Sequence, residues 1–417
     1  MKHSLEELRS GKLLGIKELK IEEGLESFPE ELFTLCDSLE LLDLSGNKLK
    51  DLPDLSRFKN LKIAFFSQNR FTKVPDAFKE CKNLFMLGFK ANLIEEFEED
   101  ILPLSISWLI LTDNRLGRLP ESIGKLTKMK KFPIAGNRLT SLPDSMKNLK
   151  NLELIRLSAN SLTEIPHWIK ELPKLAWFAF SGNPCSVSKE SSLEVVAYKD
   201  LEMDKLLGEG ASGKIYRAHS SYFNSVVAVK LFKGAVTSDG YAKDEMNACI
   251  SAGQHPNLIK VLARLEHKDL GLVLEFINPS YINLGNPPNF ETCSRDTFTK
   301  DLSLEVGDAL KVAQAVASAA GHLHSKGLMH GDLYAHNILV DSTYNTYLGD
   351  FGAASFYDVG DKFYEKLEVL AFGNLLEDML HLVTVKKGLE YQRLVSLKEC
   401  CQEEIVSLRP LFKEMLF

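Results

Sequence analysis

The chain has 417 residues, more than one hydrophobic core ordinarily holds, so we expect two or three domains. Apolar residues make up 45% and charged residues 26%, values that exclude a largely disordered chain and a disulfide-stabilised miniprotein. The net charge of −7 argues against nucleic-acid binding. Residues 191–417 hold 22 basic and 30 acidic side chains, so the negative charge lies in the second half.

The cysteines and the apolar segments indicate where the protein resides. Seven cysteines are scattered without a CxxC pair, which favours reduced thiols over disulfides or a metal site. The sequence has no stretch of about 18 apolar residues, and its charged start does not resemble a secretory signal. We therefore expect a cytoplasmic protein without a membrane span.

An asparagine recurs every 22 or 23 residues through the first half of the chain. The recurring residues are Asn47, Asn69, Asn92, Asn114, Asn137, Asn160 and Asn183. Each stands in the pattern LxxLxLxxNxLxxLP, which resembles the short, cytosolic type of leucine-rich repeat. One repeat cannot bury its own apolar face, so stacked repeats share a core. We expect an N-terminal cap and partial repeat over 1–38 and a solenoid over 39–185.

Alternation along each repeat's strand places its third and fifth residues, counted from the first apolar residue, on the concave surface. These residues are mostly apolar, and large exposed apolar patches generally mark sites of association. The sequence predicts a groove for a protein or peptide partner; the alternative is packing on the chain's second half or on a second copy. The predicted partner residues are Leu41, Ile63, Phe65, Met86, Trp108, Ile110, Leu154 and Trp177.

A glycine-rich segment follows a predicted polar linker over 186–195. Gly208, Gly210 and Gly213 form a GxGxxG pattern with Ile215 just beyond it. Strand-like segments lie on both sides and no helix follows, which favours a hairpin lid over phosphates rather than a dinucleotide fold.

A lysine ends the next apolar strand, Val-Ala-Val-Lys, at Lys230. Behind a glycine lid, a lysine in this place can reach phosphate oxygens. The helical stretch after it contains Glu245, a carboxylate suited to pairing with that lysine, and Asp244 is the alternative partner.

A second group of polar residues follows the helical stretch 306–327. Asp332 and Asn337 are five residues apart, and Asp350-Phe351-Gly352 comes 13 residues later. Within one loop, a carboxylate can accept the proton of an attacking hydroxyl while an amide oxygen holds Mg²⁺. An aspartate at a tight turn supplies a further oxygen ligand for Mg²⁺.

Together these motifs resemble a protein kinase domain over 196–417, with an N-lobe at 196–277 and a C-lobe at 278–417. The predicted fold is thus an α/β leucine-rich repeat solenoid followed by a two-lobed α+β domain. The resemblance implies ATP and Mg²⁺ as cofactors, Asp332 and Lys230 as catalytic residues, and Asn337 and Asp350 as metal ligands. The nucleotide-binding residues it implies are Leu207, Gly208, Gly210, Gly213, Ile215, Ala228, Lys230, Glu245, Glu275, Ile277 and Leu339.

The sequence departs from the kinase pattern at several places. Gly331 replaces the arginine of His-Arg-Asp, which normally gathers a phosphorylated activation loop, so we expect that route of regulation to be absent. No Ala-Pro-Glu follows Asp350, Glu368 stands where an aspartate is usual, and Arg409 is expected to lack its glutamate partner. Tyr334 replaces the lysine of serine/threonine kinases.

Three functions follow from these features. The first is an ATP-dependent protein kinase with serine or threonine as acceptor, whose repeats recruit a substrate or regulatory partner. The second is a small-molecule phosphotransferase of the same fold, favoured by His-Gly-Asp and the short loop. The third is a nucleotide-binding pseudokinase scaffold. We also expect segment 278–301 to be either disordered or a flap at the cleft, and fragment 191–417 to be stabilised by nucleotide.

Overall fold

The computed structural model describes residues 2–187, 193–210, 212–234, 237 and 239–417. Part of the predicted linker, residues 188–192, lies outside the described residues. Within the described part, no helix combines the length and the apolarity needed to cross a membrane.

The chain divides into two compact units whose boundaries differ from those of the repeat pattern. The first unit comprises Met1–Leu172 and Asn183–Cys185. The second comprises Pro173–Gly182 and Ser186–Phe417. The ten residues Pro173–Gly182 therefore belong with the second unit, although in sequence they are part of the last repeat of the predicted solenoid.

The first unit is built from one short strand per repeat. Its helix α1 (Leu5–Arg9) begins with a capping box, in which Ser4 Oγ accepts from the Glu7 backbone N–H at 3.1 Å. The strands are β1 (Glu18–Lys20), β2 (Leu41–Asp43), β3 (Ile63–Phe65), β4 (Met86–Gly88), β5 (Trp108–Ile110), β6 (Lys131–Pro133) and β7 (Leu154–Arg156). They pair in chain order and in parallel, as the repeat pattern predicts.

The inward face of these strands forms the core of the first unit. The central residue of each strand is buried, as at Leu42, Leu87 and Phe132. Between the strands, 3₁₀ helices follow the repeat prolines; examples are Glu121–Lys125 after Pro120 and Asp144–Asn148 after Pro143. Proline fits this boundary because its fixed φ suits the start of a helical turn.

The recurring asparagine links neighbouring repeats by hydrogen bonds. Asn137 is buried, and its Oδ1 accepts from the Leu116 backbone N–H at 3.0 Å. Its Nδ2 donates to the carbonyls of Leu111 at 2.9 Å and Ile134 at 3.1 Å. One side chain thus satisfies buried backbone groups of two consecutive repeats.

Replacing Asn137 with alanine should lower the free energy of unfolding by about 2–4 kcal/mol, because it leaves buried backbone groups without partners. Urea unfolding of the full chain measures the change. Asn83→Ala is the matched control, since Asn83 is exposed and donates to the Lys59 carbonyl alone among the bonds described here. Equal losses in the two variants would contradict the role given to the buried asparagine.

The second unit contains the predicted N-lobe. Its elements are β9 (Val195–Ala197), β10 (Leu201–Glu209), β11 (Gly213–Ser220), β12 (Ser225–Phe232), α2 (Ala242–Ala252), β13 (Val261–Glu266) and β14 (Gly271–Glu275). The strands form one sheet in the order β10-β11-β12-β14-β13-β9, and helix α2 packs with it through Met246 and Ile250.

The predicted C-lobe is mainly helical. Its strands are short and lie around the two polar loops at 330–337 and 349–354. Its elements are β15 (Ile282–Asn283), α3 (Val306–Ser325), β16 (Leu328–Met329), β17 (Ile338–Val340), β18 (Thr346–Leu348), β19 (Ser355–Phe356), α4 (Phe363–Leu382) and α5 (Leu389–Cys401). The second unit also holds a strand from Trp177 to Ala179, which is β8 in chain order. Parallel repeat strands followed by a mixed domain confirm the predicted fold class.

The predicted apolar partner face needs a correction at Trp177. This side chain is 2% exposed, and its indole N–H donates to the Leu333 carbonyl within the second unit. Trp177 therefore contacts the chain itself, which was the alternative for this face. Ile63, Met86 and Leu154 are buried as well.

Candidate active site

The glycine-rich segment forms the antiparallel hairpin that the sequence predicts. Gly208 on β10 pairs with Ile215 on β11, and the Gly210 N–H donates to the Gly213 carbonyl at 2.9 Å. A Cβ on Gly213 would lie 2.4 Å from the Leu231 carbonyl oxygen, so a side chain there would push β12 away.

Lys230 on β12 and Glu245 on α2 form a buried ion pair. Their side chains are 12% and 2% exposed. Burial alone would lower the pKa of Lys230, but the carboxylates of Glu245 and Asp350 outweigh it and raise that pKa. Lys230 thus remains an ammonium group at neutral pH. Of the two candidate carboxylates, Glu245 is the one that pairs with the lysine.

The residues that the kinase resemblance assigns to the adenine base lie on, or directly after, strands of the second unit. Ala228 pairs with Leu274 across β12 and β14, and Ile215 is the register partner of Lys230. Glu275 ends β14, where its backbone N–H donates to the Lys260 carbonyl at 2.9 Å. The remaining assigned residues are Leu207 on β10, Ile277 just after β14 and Leu339 on β17.

The loop between β16 and β17 carries Asp332 and Asn337. Asn337 Nδ2 donates to Asp332 Oδ2 at 2.8 Å and to the Asp332 carbonyl at 2.9 Å. His330 Nε2 lies 2.8 Å from the Gly349 carbonyl oxygen, which joins this loop to the one containing Asp350. The five-residue spacing therefore brings the two side chains into contact.

Asp350 sits in the left-handed region with φ +56°, and its Oδ1 accepts from the Gly352 N–H at 3.1 Å. A Cβ on Gly352 would lie 3.3 Å from Asp350 Oδ1 and 3.8 Å from Glu245 Oε2, so the carboxylate lies near the ion pair. The charge of Asp350 contributes to the raised pKa of Lys230. Asp350 and Asn337 offer oxygen donors, the ligand type that Mg²⁺ prefers. The donor set therefore fits the implied metal.

Glu368 on α4 holds the backbone of the His-Gly-Asp loop. This buried carboxylate accepts from the N–H groups of His330, at 3.1 Å, and Gly331. His324 Nε2 lies 2.8 Å from Glu368 Oε2, the oxygen that also accepts from the His330 N–H. The unusual glutamate thus reaches backbone groups of the loop and a histidine on α3 at once, a role that its position in the sequence did not reveal.

Segment 278–301 is ordered and is fastened to the same loop. β15 pairs with β17, and Asp296 accepts from the His336 backbone N–H at 3.0 Å. Asp296 Oδ1 also lies 2.7 Å from His336 Nδ1. Arg295 forms ion pairs with Glu377 and Asp378 on α4. The disordered alternative for this segment is wrong, because these contacts hold it against the loop that carries Asp332 and Asn337.

Sequence reasoning did not find Asp296 or Arg295. Both lie in a stretch with no helical or strand periodicity, and their partners are 40 and 82 residues away. An isolated acid in such a stretch gives no signal of its own. Tyr334, by contrast, departs from the kinase pattern in the sequence itself, and in the structure its side chain is 5% exposed.

Comparison with known families agrees with this geometry. Residues 201–370 match the protein kinase domain, and residues 38–58 and 127–184 match leucine-rich repeats. The chain therefore combines leucine-rich repeats with a protein kinase domain.

Curated relatives resemble the second half of the chain. The serine/threonine-protein kinase AtPK2/AtPK19 of Arabidopsis thaliana is 31% identical over 186 residues, covering 43% of this chain and 37% of that protein. The L-type lectin-domain containing receptor kinase IX.1 of the same plant is 30% identical, covering 39% of this chain and 25% of that protein. The chain thus spans well under half the length of these relatives.

Proposed function

We propose that this protein is an ATP-dependent protein kinase that phosphorylates serine or threonine. The observation that carries the proposal is the joint presence of the buried Lys230–Glu245 pair and the Asp332–Asn337 contact in one unit. The kinase-domain match and the serine/threonine kinases among the relatives support it.

Each group has a distinct task in the proposed transfer. The Lys230 ammonium binds phosphate oxygens and is held in place by Glu245. The Asp332 carboxylate orients the acceptor hydroxyl and accepts its proton. Asn337 and Asp350 hold Mg²⁺, which neutralises phosphate charge when bound. Catalysis then depends on positioning and on charge stabilisation.

The short segment after Asp350 favours a small-molecule acceptor as the second candidate. β19 begins at Ser355 and α4 at Phe363, so the chain enters that helix 13 residues after Asp350. Little chain is left to form the platform that docks a peptide. A phosphotransferase acting on a metabolite needs no such platform.

We further propose that the repeats recruit a protein partner through the part of the apolar face that remains accessible. Leu41, Phe65, Trp108 and Ile110 are partly exposed there. The cysteines are free in the described part of the chain, which supports a reducing, cytoplasmic setting.

Transfer of labelled γ-phosphate from Mg·ATP by the full-length protein tests the proposal. Reactions contain either a generic protein acceptor or a panel of hydroxylated and aminated metabolites. Label on serine or threonine of protein, lost on chelation of Mg²⁺, is the expected result. Label on a metabolite alone would establish the second candidate, and nucleotide binding without transfer would indicate a scaffold.

Replacing Glu245 with glutamine should lower kcat/KM for ATP about 10- to 100-fold, because Lys230 loses the charge that holds it. Asp244→Asn is the matched control. Asp244 is the neighbouring carboxyl on the same helix, whereas the ion pair of Lys230 is formed by Glu245. Steady-state kinetics against ATP measure both variants. An equal loss in Asp244→Asn would contradict the assignment of Glu245.

A further inference from the structure

A tryptophan far from the catalytic loop in sequence packs directly on it in the second unit. The Trp177 indole N–H donates to the Leu333 carbonyl at 3.1 Å. Its ring stacks on Tyr334, with 4.3 Å between ring centroids and 5° between planes. Leu333 and Tyr334 immediately follow Asp332. Trp177 therefore contacts the two residues that come directly after the proposed base.

The segment that carries Trp177 is fastened at further points. The Phe180 N–H donates to Ser355 Oγ at 3.0 Å, next to the loop of Asp350. The Phe180 ring stacks on Tyr364 of α4 with centroids 5.2 Å apart. Arg409 Nη2 donates to the Pro173 carbonyl at 2.7 Å, one of several backbone carbonyls that partner this buried arginine. Pro173–Gly182 is therefore held from end to end.

Gly331 shows that the loop is built to receive this segment. Its φ is +75°, and an added Cβ would lie 2.7 Å from the Phe178 carbonyl oxygen and 2.5 Å from that of Ala353. An arginine at this position has no room. The Phe178 carbonyl thus lies where a side chain at position 331 would begin.

We propose that Trp177 is a positioning residue for phosphoryl transfer: it fixes the Asp332 loop through Leu333 and Tyr334, so that the enzyme works without activation-loop phosphorylation. The inference rests on the proposed kinase function and deepens it. Stacking and the indole hydrogen bond both restrain backbone directly after the base, where a displacement of about 1 Å costs on the order of 100-fold in rate.

The test uses full-length Trp177→Ala and Trp177→Phe. Phenylalanine keeps a ring over Tyr334 but cannot donate a hydrogen bond, whereas alanine loses both contacts. Trp168→Ala is the matched control, because Trp168 is a buried tryptophan on the 3₁₀ helix His167–Glu171 and lies in the other unit. For each protein, kcat, KM for ATP, the melting temperature and its shift with Mg·ATP are measured.

We expect kcat to fall about 10- to 100-fold in Trp177→Ala and about 5-fold in Trp177→Phe, with KM for ATP and the nucleotide-induced shift unchanged. Trp168→Ala should keep the wild-type kcat, and phosphatase treatment of the wild type should leave kcat intact. If Trp177→Ala does not fold, the phenylalanine variant decides.

Several results would overturn the inference. They are a wild-type kcat in the Trp177 variants, a rise in KM that matches the loss of rate, an equal loss in Trp168→Ala, or inactivation by phosphatase. A wild-type protein that transfers no phosphate to any acceptor would instead refute the proposed function itself.

Discussion

Replacing Asp332 with asparagine should lower the rate of phosphoryl transfer about 10²- to 10⁴-fold. Asparagine has nearly the same shape but cannot accept the proton of the attacking hydroxyl. Asn337 Nδ2 donates to Asp332 Oδ2 and to its backbone carbonyl, and the second bond survives the substitution. The loop should therefore keep its conformation while it loses its base.

Two measurements separate lost chemistry from lost folding in Asp332→Asn. Single-turnover transfer gives the rate, and the melting shift with Mg·ATP should stay close to that of the wild type. Asp358→Asn is the control, since Asp358 is an exposed aspartate in the same unit that caps a turn at Gly360. Unchanged transfer in Asp332→Asn would remove Asp332 from the role of base.

Replacing Glu368 with alanine should lower the free energy of unfolding by about 3–5 kcal/mol. The substitution strips the buried His330 and Gly331 N–H groups of their acceptor and leaves His324 without its carboxylate. Denaturant unfolding measures the loss. Glu390→Ala, an exposed glutamate on α5, should change the free energy by no more than about 0.5 kcal/mol. Similar values for both variants would contradict the loop-holding role of Glu368.

The same carboxylate predicts how stability depends on pH. Burial acts to raise the pKa of Glu368, but hydrogen bonds from His324 and the Gly331 N–H outweigh it, so the pKa lies below its ordinary value of 4.5. A depressed folded-state pKa stabilises the protein above the unfolded value, and that stability is lost as pH falls through the folded value. Below pH 4.5, Glu368→Ala should therefore lose less stability on acidification than the wild type.

Local patterns were enough to predict the repeats and the kinase-like order of motifs. The asparagine recurs because buried backbone groups in successive repeats need a hydrogen-bond partner, as the bonds of Asn137 show. Lys230 and Glu245 were likewise predictable as a pair, because one ends an apolar strand and the other lies on the next helix. In both cases the residues that form the pattern lie close together in the sequence.

Contacts between distant segments were not predictable. Trp177 reads as one more outward residue of a repeat strand, and nothing near it in sequence reveals Leu333, 156 positions away. Gly331 reads as a lost arginine until the Phe178 carbonyl is seen beside it. Glu368 reads only as a glutamate where an aspartate is usual, whereas its carboxylate accepts from the N–H groups of two loop residues.

The packing of Pro173–Gly182 on the catalytic loop bears on how such a gene is assembled. Recombination in the polar stretch after Cys185 would deliver a kinase half without Trp177 and Phe180, exposing Tyr334 and Tyr364, whereas a joint upstream of Pro173 would carry the segment along. Within this chain, position 331 cannot regain a side chain while the Phe178 carbonyl lies 2.7 Å from where its Cβ would stand. Pro173–Gly182 and the kinase half are therefore expected to be inherited together.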